Sequence, residues 1–234
     1  LGLDDAGLRK IVLTLPQLLG LSVEANMAPK LHWLQTRLDL DGEQLRKVAG
    51  HVSVLSTSID ILESKLDWLQ SRLDLDAAQL KKVVVALPSL LGMSVEDNVE
   101  PTLEWLQRRL DLDDAGLRKV VLGLPSLLGL SVEANMAPTL EWLQDRLNLD
   151  TAQLKKVVLG RPSLLGLSVE DNMEPKLAYL EREIGLSRPE LREHVLRIPA
   201  ILGYSLDKRY RPRVEACRAA GVDATYVLTN IPLT

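Results

Sequence analysis

The chain has 234 residues, of which 46% are hydrophobic and 26% are charged, a balance typical of a folded protein and not of a disordered one. A single cysteine, Cys217, excludes a disulfide framework within the chain, and the three histidines are too scattered to form a metal site. No charge-free run approaches the ~20 residues that a membrane helix needs. The net charge of −4 argues against generic binding of nucleic acid, although residues 187–234 carry 8 Lys/Arg and 5 Asp/Glu, a local net charge of +3.

The sequence is a series of repeats about 37 residues long. Residues 113–149 recur at 150–186 with 23 of 37 positions identical, and they match residues 4–40 at 30 of 37 positions. The other copies are residues 41–75, which are two residues short, residues 76–112, the more divergent residues 187–222, and a partial copy at 223–234. A fixed period in this range indicates stacked repeats that share a continuous core. We therefore predict that residues 1–234 form a single all-α superhelical solenoid.

Each repeat contains the signals of two helices separated by a short turn. The first helix begins at an Asp or Ser N-cap such as Asp41, and in four repeats a Gln or Glu three residues later completes a capping box. An apolar stripe follows at helical spacing, and a proline such as Pro16 ends the helix. Residues 17–20 suit a single 3₁₀ turn. Asn26 is the predicted N-cap of the second helix, with Pro29 in its first turn.

Repeat two, residues 41–75, departs from this pattern. Ser53 and Ser64 stand at the two proline positions. One interpretation is a decayed repeat that still packs. The other is a local change in the curvature of the superhelix that matters to a ligand.

The repeats share a motif of regularly placed leucine, proline and polar residues. It reads Leu-x-x-Pro-x-Leu-Leu, then Ser-x-Glu-x-Asn-x-x-Pro-x-Leu, an aromatic residue followed by Leu, and Leu-x-Leu followed by Asp or Ser. In residues 113–149 the motif is carried by Leu122, Pro125–Leu128, Ser131–Pro138, Trp142 with Leu143, and Leu147–Leu149. This motif resembles that of the mTERF family, the mitochondrial transcription termination factors and their plastid relatives.

The resemblance implies a left-handed superhelix with two α-helices and one 3₁₀ turn per repeat. It also implies a mitochondrial or chloroplast protein that binds double-stranded DNA, or in some members RNA, and regulates transcription termination, initiation or ribosome assembly, in some cases through a protein partner. We therefore predict a nucleic-acid-binding regulator of organellar gene expression that is not an enzyme, uses no cofactor and acts as a monomer. The alternative is a protein-interaction scaffold whose acidic face docks a partner and which has little affinity for nucleic acid.

A basic pair on the first helix of the repeat is the strongest candidate for phosphate contacts. Its members are Arg9-Lys10, Arg46-Lys47, Lys81-Lys82, Arg118-Lys119 and Lys155-Lys156, with Arg192 alone in the last copy. Both positions lie off the apolar stripe, so stacked repeats would align them into a ladder. The alternative is a solvated helix face that offsets the acidic caps. Because the exposed positions hardly vary between repeats, the sequence argues against a code that reads one base per repeat and is compatible with reading of the backbone or the shape of the nucleic acid.

Two further groups of residues are candidates. The four tryptophans, Trp33, Trp68, Trp105 and Trp142, are each followed four residues later by an arginine, Arg37, Arg72, Arg109 or Arg146. These pairs would stack bases, or else the tryptophan packs between repeats under a cation–π contact with the arginine. The segment Lys208, Arg209, Tyr210, Arg211, Pro212 and Arg213 suggests nucleic-acid contact or an ordinary solvated cap. Carboxylates also recur in every repeat, which marks them as scaffold and not as a catalytic pair.

Overall fold

The computed structural model describes residues 27–229. The predicted turn at residues 17–20 and the predicted cap Asn26 lie outside the described residues. The chain divides into two compact units, Leu1–Trp105 and Leu106–Thr234, and the boundary falls inside one helix. The prediction of one solenoid over residues 1–234 stays a prediction.

All regular elements in the described part of the N-terminal unit are helices or helical turns. It contains α1 (Ala28–Leu38), α2 (Gly42–Ala49), α3 (Val52–Ser56), α4 (Ile59–Leu73), α5 (Ala77–Ala86), a 3₁₀ turn (Pro88–Gly92), a π turn (Val95–Val99) and the first part of α6 (Glu100–Leu110). Its core is built from leucines of the two kinds of helix, for example Leu34, Leu66 and Leu80, which are fully buried.

The C-terminal unit repeats the same order of elements. It contains α7 (Asp114–Gly123), α8 (Ala137–Leu147), α9 (Thr151–Gly160), α10 (Glu174–Ile184), α11 (Arg188–Arg197), α12 (Arg211–Ala219) and α13 (Tyr226–Thr229), with 3₁₀ turns at Pro125–Gly129, Pro162–Gly166 and Pro199–Gly203 and π turns at Val132–Met136, Val169–Met173 and Leu206–Tyr210. The leucine pairs that follow Pro125 and Pro162 are buried, as the pattern predicts. The predicted fold class, all-α with two helices and a 3₁₀ turn per repeat, is confirmed, and residues 27–229 contain no strand.

The caps of the first helices follow the sequence prediction. The carboxylate of Asp76 accepts a hydrogen bond from the main-chain N–H of Gln79 at 2.8 Å, and the Gln79 side chain accepts one from the N–H of Asp76 at 3.1 Å. The same reciprocal box is present at Asp41 and Asp150. These bonds satisfy N–H groups that have no partner within the helix, so they fix where each first helix begins.

The start of the second helix differs from the prediction, because a serine and not an asparagine is its cap. Ser94 accepts from the N–H of Asp97 at 3.0 Å, and Ser131 and Ser168 cap their helices in the same way. The Asn that corresponds to Asn26 lies inside the π turn that follows the cap. In this turn the N–H of Val99 donates to the carbonyl of Ser94, five residues back, at 3.2 Å.

Repeat two shows what the second proline does to the helix. Its helix α4 starts directly after the cap Ser58 and has no π turn, whereas the helix of the next repeat passes through a π turn before Pro101. Ser64, at the proline position, keeps the main-chain N–H that a regular α-helix needs and that Pro101 lacks. The π turn holds one extra residue, which accounts for one of the two residues that repeat two is missing. Val54 and Leu55 of this repeat are buried, so it still packs.

Candidate nucleic-acid interface

The two members of each basic pair meet different surroundings. Neighbouring residues of an α-helix point about 100° apart, so only one of them can face the adjacent repeat. We call the first members the inner basic residues: Arg46, Lys81, Arg118, Lys155 and Arg192. We call the second members the outer lysines: Lys47, Lys82, Lys119 and Lys156. Arg9 and Lys10 lie outside the described residues.

Two inner lysines are bound to the ends of second helices. The Lys81 ammonium donates to the main-chain carbonyl of Asp39, and the Asp39 carboxylate lies 3.5 Å away. Lys155 donates in the same way to Asp111. Asp39 and Asp111 end α1 and α6 in the left-handed conformation, with φ of 48° and 50°. Because the carboxyl end of a helix carries partial negative charge, an ammonium group is favoured there.

The other inner residues are mixed. Arg192 is half-buried and donates to the side chain of Gln153 at 2.7 Å, while its buried Nε has no hydrogen-bond partner. Arg118 is also half-buried, and only Arg46 is exposed. The inner positions therefore serve largely to hold neighbouring helices within each unit.

The outer lysines are different, because all four side chains are exposed. Within residues 27–229 they have no hydrogen bond or ion pair. In the N-terminal unit Lys47 and Lys82 line an open depression of about 460 Å³ between α2 and α5. In the C-terminal unit Lys119 and Lys156 occupy the same position on α7 and α9. The corresponding residue of α11 is an exposed glutamate, Glu193, so the series ends there.

The basic segment near the C-terminus is mostly bound to its own unit. The Arg209 guanidinium lies 3.8 Å from the centre of the Tyr204 ring, and Arg211 pairs with Asp207 at 2.9 Å. Arg213 is half-buried. Among the basic residues of this segment, Lys208 alone is exposed and has no side-chain partner in the described part of the chain.

The tyrosine of this segment is structural. Tyr210 is fully buried, and its hydroxyl donates to the carbonyl of Ile201 at 2.8 Å. Burial raises the pKa of this hydroxyl above its usual value. Tyr210 therefore offers no ring face to a base.

The tryptophan–arginine pairs tie one repeat to the next. In the N-terminal unit Arg37 donates to Glu63 at 2.6 Å and to Asp67 at 2.8 Å, and the indole N–H of Trp33 donates to the same Glu63 at 2.9 Å. The guanidinium is thus directed at carboxylates of α4. The predicted alternative to base stacking, in which it covers the ring of Trp33, placed it on the indole instead. Ring–cation contacts occur instead at Tyr204 with Arg209 and, at 5.0 Å, between Arg211 and Tyr179.

The same tie recurs in the C-terminal unit. Arg146 binds Glu181 through two bonds of 2.8 and 2.7 Å and Glu174 through a bond of 2.9 Å. The hydrogen bonds that Arg146 donates to Glu181 raise the pKa of Arg146 and lower the pKa of Glu181. The corresponding Arg109 meets a neutral partner, Gln144, at 2.8 Å. These contacts favour a structural role for the pairs over base stacking.

The described residues hold no group of three His, Cys, Asp or Glu side chains placed for a metal ion. None of the helices in this part of the chain has the length and apolar character required to cross a membrane. What the structure does offer is a set of exposed lysines on an all-α repeat scaffold.

This arrangement defines the class of the protein, a helical-repeat protein with an exposed lysine at the same position of the first helix in four successive repeats. Residues 57–231 match the mTERF family, and the chain belongs to that family. Its members are generally non-enzymatic helical-repeat proteins that bind nucleic acid and regulate gene expression in mitochondria or chloroplasts. A comparison with curated proteins finds no match.

Proposed function

We propose that this chain regulates organellar gene expression by holding double-stranded DNA through its outer lysines. Membership of the mTERF family supports nucleic-acid binding in general. The single observation that carries the assignment to these residues is the contrast within each pair. Lys81 and Lys155 are bound to helix ends, whereas Lys82 and Lys156, one residue further on, are exposed and have no partner in the described structure.

An exposed ammonium group on a long side chain suits contact with a phosphate. The lysine can follow the backbone of any sequence, and the counterions released from the duplex favour binding at low salt. Each lysine–phosphate contact contributes ~0.9 to the slope of log K against log salt. Four contacts would therefore give a slope of roughly −3.6 from the outer lysines alone.

The decisive experiment changes the outer lysines one unit at a time. The variants are Lys47→Gln with Lys82→Gln, and Lys119→Gln with Lys156→Gln, because glutamine removes the charge and keeps a polar side chain of nearly the same length. Affinity for a generic DNA duplex is measured between about 50 and about 200 mM salt. Each double variant should weaken binding to every sequence alike and flatten the slope by roughly 2. Competition with a duplex RNA of the same sequence tests the preference for DNA.

The exposed Lys208 supplies the matched control. Lys208→Gln removes one positive charge from the C-terminal basic segment and should leave the slope unchanged, whereas loss of a phosphate contact would flatten it by ~0.9. If both double variants keep the wild-type slope and Lys208→Gln flattens it, the outer lysines are the wrong surface. In that case the Lys208, Arg209, Arg211 and Arg213 segment is the interface.

A protein-interaction scaffold remains the second candidate because of the acidic caps. Asp41, Asp76, Asp113 and Asp150 are exposed and each stands six residues before an outer lysine on the same helix. Six residues correspond to ~9 Å along a helix, which is within the Debye length of ~10 Å at 0.1 M salt. Such closely spaced charges of both signs suit a protein partner. The scaffold predicts no duplex affinity even at low salt and no effect of the lysine variants.

A further inference from the structure

A lysine on the second helix recurrently binds main-chain carbonyls of the next repeat. Lys65 donates to the carbonyls of Leu91 at 3.0 Å and Met93 at 2.7 Å. Lys30 is the equivalent residue of the preceding repeat, and it donates to the carbonyl of Leu55. In both cases the acceptors belong to the short turn after the first helix of the following repeat.

The third example is the most deeply buried. Lys176 is only 2% exposed, and its ammonium donates to the carbonyl of Leu202 and to the side-chain oxygen of Asn172, the latter at 2.9 Å. All three lysines bind one or two main-chain carbonyls, and Lys176 binds a side-chain amide as well.

Repeat four, residues 113–149, has the equivalent amide and faces the equivalent carbonyls, but it lacks the lysine. Thr139 stands at the position of Lys176 and is too short to reach the next repeat. A cleft of about 360 Å³ lies beside it, lined by Asn135, Leu165 and Leu167 among others. By position in the repeat these residues correspond to the acceptors Asn172, Leu202 and Met93. We call this space, bounded by Asn135, Thr139, Leu165, Leu167 and Glu170, the repeat-four cleft.

The repeat-four cleft opens to solvent at its edge, whereas Leu165 itself is only 1% exposed. The carbonyl of Leu165 accepts no hydrogen bond from the described residues, in contrast to that of Leu202. Asn135, Gly166 and Ser168 at the edge of the cleft are exposed, so a ligand can enter from solvent.

The charges around the cleft favour a cation more strongly than those around Lys176. A methyl group added at Gly203 would lie 2.6 Å from the guanidinium of Arg161, whereas at the corresponding Gly166 the neighbour is the apolar Leu124, at 3.5 Å. Burial, and then the charge of Arg161, lower the pKa of Lys176 to about 8. The cleft of repeat four has no such repelling arginine.

A carboxylate at the cleft adds to this difference. Glu170 lines the cleft, is exposed and has no ion pair in the described structure. Its counterpart beside the Lys176 site is Asp207, which is already paired with Arg211 at 2.9 Å. Carbonyl oxygens, an amide oxygen and a carboxylate around one recess are the groups that bind an ammonium ion.

We propose that the repeat-four cleft binds a primary ammonium group on an unbranched alkyl chain supplied by another molecule. The ammonium would take the place that the lysine of repeats one, two and five occupies in its own site. Two sources share this chemistry, a lysine side chain of a partner protein and a linear polyamine. The site is separate from the outer lysines and does not depend on binding of nucleic acid.

The binding test uses the full chain labelled with ¹⁵N, without nucleic acid. Nα-acetyl-lysine methylamide and spermidine are titrated separately, and the Nε-acetylated lysine compound serves as the control that keeps the chain but lacks the charge. We expect saturable shifts of the amide signals of Gly166, Leu167 and Ser168 below roughly 50 mM ligand, and none with the control. Saturation by the lysine compound identifies a side chain as the source, and a much tighter response to spermidine identifies a polyamine. If neither compound shifts these signals, the proposal is wrong.

Substitutions locate the site. Thr139→Lys supplies an internal ammonium and should reduce binding at least about tenfold, as expected when the acceptors are already hydrogen-bonded to a charge. Thr139→Val keeps the size of the side chain and should bind within about twofold of the wild type, and Glu170→Gln should bind about threefold more weakly. Unchanged binding by a folded Thr139→Lys chain, confirmed by its amide spectrum, would overturn the proposal.

Discussion

The contacts between repeats and the outer lysines use the same residue types for opposite purposes. At a contact between repeats, the charge of Arg146 is surrounded by two carboxylates and that of Lys176 by an amide and a carbonyl. The ammonium groups of Lys82 and Lys156 are exposed and have no partner in residues 27–229. The difference depends on which groups of the following repeat lie opposite the side chain. Whether a basic residue holds two repeats together or is free to bind a ligand is therefore decided by its neighbours and not by its residue type.

The largest effect is expected where a contact between repeats is apolar. Leu128 is 3% exposed in the turn after Pro125. Leu128→Ala removes buried methyl groups and should lower the free energy of unfolding by about 2–5 kcal/mol. Urea denaturation followed by circular dichroism measures it. A loss below about 0.5 kcal/mol would show that this turn contributes nothing to packing.

The next largest effect is a pH dependence that belongs to Lys176. Its pKa in the folded chain is lowered from 10.5 to about 8, so between these values the unfolded chain holds more protons than the folded one. Stability from this group therefore rises with pH across that window, by up to about 3 kcal/mol. The measurement is urea denaturation between about pH 7 and about pH 10.

Lys176→Met is the control for that measurement. It keeps the length of the side chain and removes the titrating group, so subtraction of its profile isolates Lys176 from Tyr210. The raised pKa of Tyr210 acts in the opposite direction above its usual value, because the folded chain then holds the extra proton. Identical pH profiles for wild type and variant would exclude the lowered pKa.

A third prediction compares two equivalent arginines of the C-terminal unit. Arg146→Ala breaks hydrogen bonds to two carboxylates and should cost about 1.5–3 kcal/mol. Arg109→Ala loses a single bond to the neutral Gln144 and should cost about 0.5–1.5 kcal/mol. Denaturation of both variants, side by side, gives the difference. Equal losses would mean that the carboxylates add nothing to this contact.

The smallest effect sharpens the comparison within one basic pair. Lys82→Ala should leave the free energy of unfolding within about 0.5 kcal/mol of the wild type, because the side chain is exposed and has no partner in the described structure. Lys81→Ala loses the bond to the carbonyl at the end of α1 and should cost about 1 kcal/mol. If Lys82→Ala is the more damaging change, the assignment of inner and outer positions is reversed.

The sequence predicts the parts of the fold that rest on local chemistry. The sequence alone identifies a cap at Asp76 with Gln79, a helix end at Pro88 and a buried turn at the leucines that follow it. The π turn is missed because its signal is indirect. A serine four residues before the asparagine marks the true cap, and Pro101 requires a helix start that regular α geometry does not provide.

The candidate site is predicted less completely, because partners lie far away in the chain. Lys81 and Lys82 look alike in sequence, and only the approach of Asp39, 42 residues earlier, separates them. Likewise nothing near Arg37 indicates that Glu63 will bind it. A comparison of the repeats does carry one useful signal. Threonine replaces the lysine in repeats three and four, at Thr102 and Thr139, while Asn98 and Asn135 are retained.

The unequal positions along these repeats have a consequence for how the chain finds its native arrangement. Repeats that are identical at 23 of 37 positions could stack on the wrong neighbour, a known failure of repeat proteins during folding. If the helix carrying Thr139 took the place of the helix carrying Lys176, the Leu202 carbonyl would lose its donor. Repeat two is shorter than the other repeats and lacks the π turn, so the surfaces that it presents to its neighbours also differ from those of the other repeats. Such differences between repeats favour the native order of stacking in a chain whose repeats are otherwise similar.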